Sequence, residues 1–104
     1  MQSVQTILAN QNATVNVTTD VYISEQRNLW SVDFMPLTEI NSDLLLTMQV
    51  SNDTVNWFEF KIIKEKVRLS KSFMYNQIPF DYIRFIITGN ATKGTYKLLF
   101  NERD

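Results

Sequence analysis

Leu44-Leu45-Leu46-Thr47-Met48-Gln49-Val50-Ser51-Asn52-Asp53-Thr54-Val55-Asn56-Trp57-Phe58-Glu59-Phe60 reads as two β-strands joined by a polar turn. Successive side chains of a strand point to opposite faces, so Leu44, Leu46, Met48 and Val50 form one apolar face. Leu45, Thr47, Gln49 and Ser51 form the other, mixed face. Ser51, Asn52 and Asp53 carry side chains that hydrogen-bond nearby backbone and favour a turn. The chain returns through Trp57, Phe58 and Phe60, aromatic residues that suit a strand. This hairpin is expected at the centre of a β-sandwich.

The rest of the chain repeats the pattern. Ser3 to Asn10 is expected as a first strand and Asn10-Gln11-Asn12 as a turn. Thr14 to Ile23 follows, with Val15, Val17, Thr19, Val21 and Ile23 on one face and Tyr22 on the other. Leu29 to Met35 places Trp30, Val32 and Phe34 inward, and Pro36 is expected to end that strand because it lacks a ladder donor. Leu37 to Asp43 crosses to the hairpin, with room for a short helical turn. The hairpin's second arm is expected to reach Ile63, with Phe58, Phe60 and Ile62 on one face and Trp57, Glu59, Lys61 and Ile63 on the other.

Lys64-Glu65-Lys66 reads as a charged turn, with short strands at Val67 to Leu69 and Ser72 to Tyr75. A loop over Asn76 to Pro79 precedes a strong strand, Asp81 to Thr88, in which Ile83, Phe85 and Ile87 alternate with Tyr82, Arg84 and Ile86. Gly89 to Gly94 reads as a hairpin-like turn before a last strand, Thr95 to Asn101, with Tyr96, Leu98 and Phe100 on one face. About eight short strands, spaced by about ten residues, argue for an all-β antiparallel sandwich of jelly-roll type. A chain of 104 residues is expected to form a single domain over residues 1–104.

Composition narrows the chemistry. The chain has no histidine and no cysteine, which removes Ser-His and Cys-His nucleophiles, disulfides and most zinc or copper sites. A net charge of -1 provides no basic surface for nucleic acid. No apolar run approaches the roughly 18 residues of a membrane span. The start, Met1-Gln2-Ser3-Val4-Gln5, lacks the basic and apolar regions of a signal peptide, so the expectation is a chain made in the cytoplasm. Asn12, Asn16, Asn52 and Asn90 each open an Asn-X-Thr tripeptide, which matters only in secreted eukaryotic proteins. In an asparagine-rich chain these are read as chance.

Paired carboxylates could serve a glycosidase, but Asp33, Glu39, Asp43, Asp53, Glu59 and Asp81 fall at strand ends and turns without a distinguishing spacing. Asp43 with Ser51-Asn52-Asp53 offers oxygen ligands, yet the spacing matches no calcium loop and the same residues make a turn. No enzyme, metal or cofactor is therefore expected.

Exposed aromatics carry more. With Trp30, Phe34, Phe58 and Phe60 in the core, Tyr22, Trp57 and Tyr82 fall on the opposite strand faces, where such residues anchor interfaces or are covered by loops. Adjacent apolar pairs at Ile62/Ile63, Ile86/Ile87 and Leu98/Leu99 put apolar side chains on both faces, as in a surface covered by a partner or in central strands under loops. Tyr22, Trp57, Tyr82, Arg84 and Ile86 are the interface candidates.

The segment Leu46 to Trp57, with Ser51-Asn52-Asp53 followed by Asn56-Trp57, resembles small β-sandwich structural proteins of tailed-phage virions. Pro79-Phe80-Asp81-Tyr82-Ile83-Arg84-Phe85 is similar to their penultimate strand. Thr88-Gly89 through Lys93-Gly94-Thr95-Tyr96-Lys97-Leu98 is similar to their final hairpin. The resemblance covers about residues 44 to 101. It implies an auxiliary, or decoration, protein of the virion that binds the major capsid protein or other virion proteins. A homo-oligomer is compatible with it; nucleic acid and membrane are not expected partners. The Ser-Asn-Asp…Asn-Trp pattern is also similar to discoidin-type and carbohydrate-binding sandwiches. The alternative is thus a carbohydrate- or receptor-binding module of a phage tail or fibre, with Trp57, Asn56 and Arg84 as its platform.

Overall fold

A computed structural model describes residues 2–76 and 78–103, leaving Met1, Gln77 and Asp104, and the side chains of Gln2 and Lys61, outside the description. Nine strands form among the described residues: β1 (Gln2–Asn12), β2 (Val17–Thr18), β3 (Tyr22–Ile23), β4 (Leu29–Thr38), β5 (Leu44–Ser51), β6 (Phe58–Val67), β7 (Lys71–Asn76), β8 (Tyr82–Gly89) and β9 (Thr95–Arg103). No described helix is long and apolar enough to cross a membrane.

The strands pair from the outside inwards. β1 pairs with β9, β2 and β3 pair with β8, β4 with β7, and β5 with β6, all antiparallel. Lateral pairing of β4 with β9 and of β5 with β8 completes two sheets. One has the order β1-β9-β4-β7; the other runs β2-β8-β5-β6, with β3 also on β8. This nested order is a jelly roll whose second strand is broken in two.

The alternation read in β5, β8 and β9 faces the core as expected. Leu46, Met48 and Val50, Ile83, Phe85 and Ile87, and Tyr96, Leu98 and Phe100 are all buried. Trp30 joins the two layers: its ring centroid lies 5.3 Å from Tyr75 and 6.1 Å from Phe100 in its own sheet. It lies 5.6 Å from Phe60 across the sandwich. Offset aromatic contacts of this kind add about 0.5–1.5 kcal/mol to the burial of the rings themselves.

Several local expectations are corrected. β1 continues to Asn12, with irregular pairing after Thr6, so the first turn falls at residues 13–16. Between Thr18 and Tyr22 the chain holds one residue more than the facing part of β8, and the phase of the strand inverts. Val15, Val21 and Ile23 are exposed, not core. β4 runs on through Pro36 to Thr38, with no helical turn before Leu44. Proline is tolerated there because pairing with β7 stops at Phe34, leaving Pro36 beside an open edge.

In β6, Met48 faces Phe60 while its neighbour Thr47 faces Lys64, so residues 61–63 form a bulge. Ile63 is consequently buried and Ile62 exposed, the reverse of simple alternation. The expected outward position of Lys61 lies outside the described side chains. Lys64-Glu65-Lys66 is strand rather than turn, and the chain reverses after Val67. Its charges blunt an edge that would otherwise invite another strand. The loop expected over Asn76 to Pro79 includes Gln77, outside the described residues.

Gly89 to Gly94 is no hairpin, because β8 and β9 belong to different sheets and the segment carries the chain across the sandwich. Gly94 has φ 114°, where a Cβ would lie 2.7 Å from the Glu39 carbonyl oxygen. Only glycine fits both the angle and the space.

The last strand extends past Asn101 to a buried acid. Glu102 is 1% exposed, and its carboxylate accepts the Ser24 hydroxyl at 3.0 Å and the Glu25 N–H at 2.8 Å. It thereby ties the loop before β4 to the closing strand. Glu102→Ala strands the buried Ser24 hydroxyl and is expected to lower unfolding free energy by about 1–3 kcal/mol in a urea titration. Stability unchanged from the parent would contradict this clasp.

Candidate functional site

The outer face of the five-stranded sheet gathers most of the interface candidates. Tyr82, Arg84 and Ile86 alternate with buried Ile83, Phe85 and Ile87, so all three point outward and are half-buried. Tyr82 lies opposite Ser51, Arg84 opposite Gln49 and Ile86 opposite Thr47. Directly opposed residues share a face, so these pairs lie on one side of the sheet, where Ser51 and Thr47 are buried and Tyr82, Arg84, Ile86 and Gln49 are partly exposed.

Trp57 reaches that surface from the turn between β5 and β6. Asp53 organises the turn: its Oδ1 accepts the N–H groups of Val55 and Asn56, each at 2.8 Å. The same oxygen accepts the Ser51 hydroxyl at 3.0 Å, while Oδ2 accepts the Asn56 side-chain amide at 2.7 Å. These donors, led by the Asn56 N–H, hold the Asp53 carboxyl well below the usual carboxylate range. Thr54 takes a left-handed φ of 63° at the apex, and its carbonyl accepts the indole N–H of Trp57 at 3.2 Å. Asn52 Oδ1 accepts the Asp81 N–H at 3.1 Å, anchoring the turn to the segment that enters β8.

The indole then meets the sheet. The Arg84 guanidinium carbon sits 4.1 Å from the Trp57 ring centroid, and Arg84 Nε donates to Gln49 Oε1 at 2.7 Å. A cation over an aromatic face contributes about 0.5–2 kcal/mol, more as it is desolvated. The Gln49 contact and the indole N–H bond to Thr54 position the two partners of the stack. Lys64 and Lys66, opposite Thr47 and Leu45, extend the face with positive charge. Glu59 pairs with Lys64 at 3.0 Å.

Tyr22 does not belong to this face. The extra residue before β3 places it opposite inward-facing Ile83, and its hydroxyl donates to the Ile7 carbonyl at 3.3 Å, bridging the two sheets. Burial, with the nearby Asp20 charge, raises its pKa. Ile23 takes the outward place beside Tyr82 and is 65% exposed. Sequence reading missed Ile23 because alternation across the bulge gave the opposite phase. It also placed Phe58 in the core; that ring is 60% exposed at the end of the sandwich, 6.5 Å from the Phe80 ring.

The oxygen-ligand alternative separates in space. Asp43 and Asp53 flank opposite ends of β5, a strand rising roughly 3.4 Å per residue. Among the described residues no group of three or more His, Cys, Asp or Glu is placed to hold a metal ion. The face brings together aromatic rings, a hydrogen-bonded guanidinium and apolar side chains on one sheet.

No protein-family model and no curated protein matches the chain in sequence. In fold it is similar to the crystal structure of a Yersinia pseudotuberculosis-derived mitogen, with a TM-score of 0.63 at 12% identity, covering 100% of this chain and 88% of that one. It is less similar to a chain from Bacillus endospore appendages, described as disulfide-linked pili, with a TM-score of 0.46 at 13% identity, covering 98% and 88%. A chain from the structure of infectious bursal disease virus Gx strain gives 0.42 at 11% identity, covering 99% and 33%. The likeness to the mitogen shows a shared β-sandwich fold, and function on such folds resides in the surface features of each protein.

The Asp53 turn has a pH signature. A carboxyl whose folded pKa is depressed contributes stability above its ordinary value of 3.8 and loses it as pH falls through the folded value. The Tm advantage of the parent over Asp53→Asn should therefore shrink steadily between about pH 5 and pH 2. A difference constant across that range would contradict the role given to the carboxylate.

Proposed function

We propose that this chain is a structural protein of tailed-phage virions, an auxiliary capsid protein that docks on the major capsid protein through the outer face of its five-stranded sheet. The observation that carries the reading is the Trp57–Arg84 stack, fixed by Gln49 and the Asp53 turn and bordered by Tyr82, Ile86 and Ile23. Tryptophan, tyrosine and arginine dominate the binding energy of protein interfaces. Held rigidly in advance, they lose little side-chain entropy on docking. The phage-like pattern Ser51-Asn52-Asp53…Asn56-Trp57 falls in the turn that presents the indole, so the resemblance and the patch concern the same residues.

On the strands of this face Arg84, Lys64 and Lys66 outnumber Glu59, with the Asp53 carboxylate at the turn end, on a chain whose net charge is -1. An acidic patch on the capsid partner would complement these cations. The chain works, in this reading, by covering surface and bridging neighbours, with no chemistry of its own. A receptor module reading sugars through Trp57, Asn56 and Arg84 has less support. The guanidinium already covers one face of the indole, and the Asn56 amide is engaged by Asp53.

Mass spectrometry of purified particles, counting this chain against the major capsid protein, tests the proposal. A copy number in fixed, symmetry-related proportion to the capsid protein is expected. A few copies per particle would assign the chain to a tail or fibre, and absence from the particle would overturn a virion role. In a particle-binding assay, Trp57→Ala combined with Arg84→Ala should weaken association by tenfold or more, about 1.4 kcal/mol for each factor of ten. Undiminished binding would remove these residues from the docking surface.

A further inference from the structure

The opposite face of the molecule carries a second feature, independent of the docking reading. Three strands of the four-stranded sheet set their outward side chains in a regular lattice. In one row Leu29 of β4 lies between Asn76 of β7 and Arg103 of β9; in the next Ser31 lies between Met74 and Asn101; in the third Asp33 lies opposite Ser72. Ser31, Asp33, Ser72, Met74, Asn101 and Arg103 line a concavity of about 340 Å³. That volume is within the range of small-ligand sites, about 300–1,000 Å³.

The polar groups in it are prearranged. Ser72 Oγ donates to Asp33 Oδ1 at 2.6 Å, and Asn101 Nδ2 donates to Asp33 Oδ2 at 2.8 Å. The same Asn101 amide nitrogen donates to Ser31 Oγ at 3.2 Å. The carboxylate is pinned by one protein donor on each oxygen and keeps further lone pairs for a ligand's hydroxyls. Ser31, used here as an acceptor, retains its own proton to donate. Leu29 and Met74 are 38% and 60% exposed and supply an apolar shoulder beside the polar floor. Arg103, two rows away at the other end of the concavity, carries the opposite charge to Asp33.

A surface alternating fixed acceptors and donors, next to a small apolar patch and without net charge, matches a sugar ring. Such a ring presents hydroxyls around its rim and C–H bonds on its faces. We infer that this concave face binds a neutral saccharide, with Asp33 and Asn101 Oδ1 accepting hydrogen bonds from its hydroxyls, the Ser31 hydroxyl donating to another, and Met74 packing against the ring. The Asp33 carboxylate, in the end row, disfavours an anionic group seated against it. The site is shallow and open, so affinity for a single sugar unit should be weak, on the order of millimolar.

The test uses the intact chain, isotope-labelled, titrated by NMR with a panel of glucose, galactose, mannose, N-acetylglucosamine and their β-linked disaccharides. At least one is expected to shift the amides of Ser31, Asp33, Ser72 and Asn101 in a saturable way. Asp33→Ala and the milder Ser72→Ala should each weaken that binding by about fivefold or more, while Trp57→Ala leaves it unchanged. An undisturbed spectrum for each variant outside the site separates lost binding from lost fold. The inference is overturned if no sugar shifts these residues, or if shifts fall on Arg84 and Ile86 of the opposite face. Retention of full affinity by Asp33→Ala would also overturn it. None of these results bears on whether the chain docks to a capsid.

Discussion

Antiparallel pairing that nests from the chain ends towards its middle is the constraint on which the molecule rests. β1 must find β9 across nearly the whole sequence, and each later pair closes a shorter loop until β5 and β6 meet through residues 52–57. Short loops cost less entropy to close than long ones, so the innermost hairpin is the cheapest contact and the natural template for the others. The Asp53 carboxylate closes it, replacing by side-chain hydrogen bonds the backbone pairing that the turn lacks. Fixing that turn also fixes where Trp57 meets Arg84. Fold and candidate interface therefore share one local cause.

Alternation was legible wherever strands ran without interruption, as in β5, β8 and β9, because burial of one face imposes a period of two. It failed at bulges. One additional residue before Tyr22 turned that ring inward and Ile23 outward, and residues 61–63 exchanged the roles of Ile62 and Ile63. Pro36 misled for a different reason: proline excludes a residue only from a strand paired on both sides, and β4 has an open side there. Gly89 to Gly94 had the composition of a hairpin, but the choice between a hairpin and a crossing is made by partner strands, not by the turn.

The site shows the same division. That Tyr82, Arg84 and Ile86 share a face with Trp57 followed from parity within two strands. That Arg84 covers the indole did not, since it depends on the register between β5, β6 and β8. The polar lattice of Ser31, Asp33, Ser72 and Asn101 had no sequence signature at all: its members come from three strands and meet only through sheet order. Two outer faces with different chemistry result, one aromatic and cationic, the other concave and polar. A protein seated by the first would leave the second towards solvent.

Hydrogen exchange on the chain alone and bound to capsid particles tests that arrangement most directly. Docking through the five-stranded sheet requires slowed exchange in the 52–57 turn and along β8, around Tyr82, Arg84 and Ile86, with β4 and β9 near Ser31 and Asn101 unchanged. Protection confined to the four-stranded sheet would contradict it.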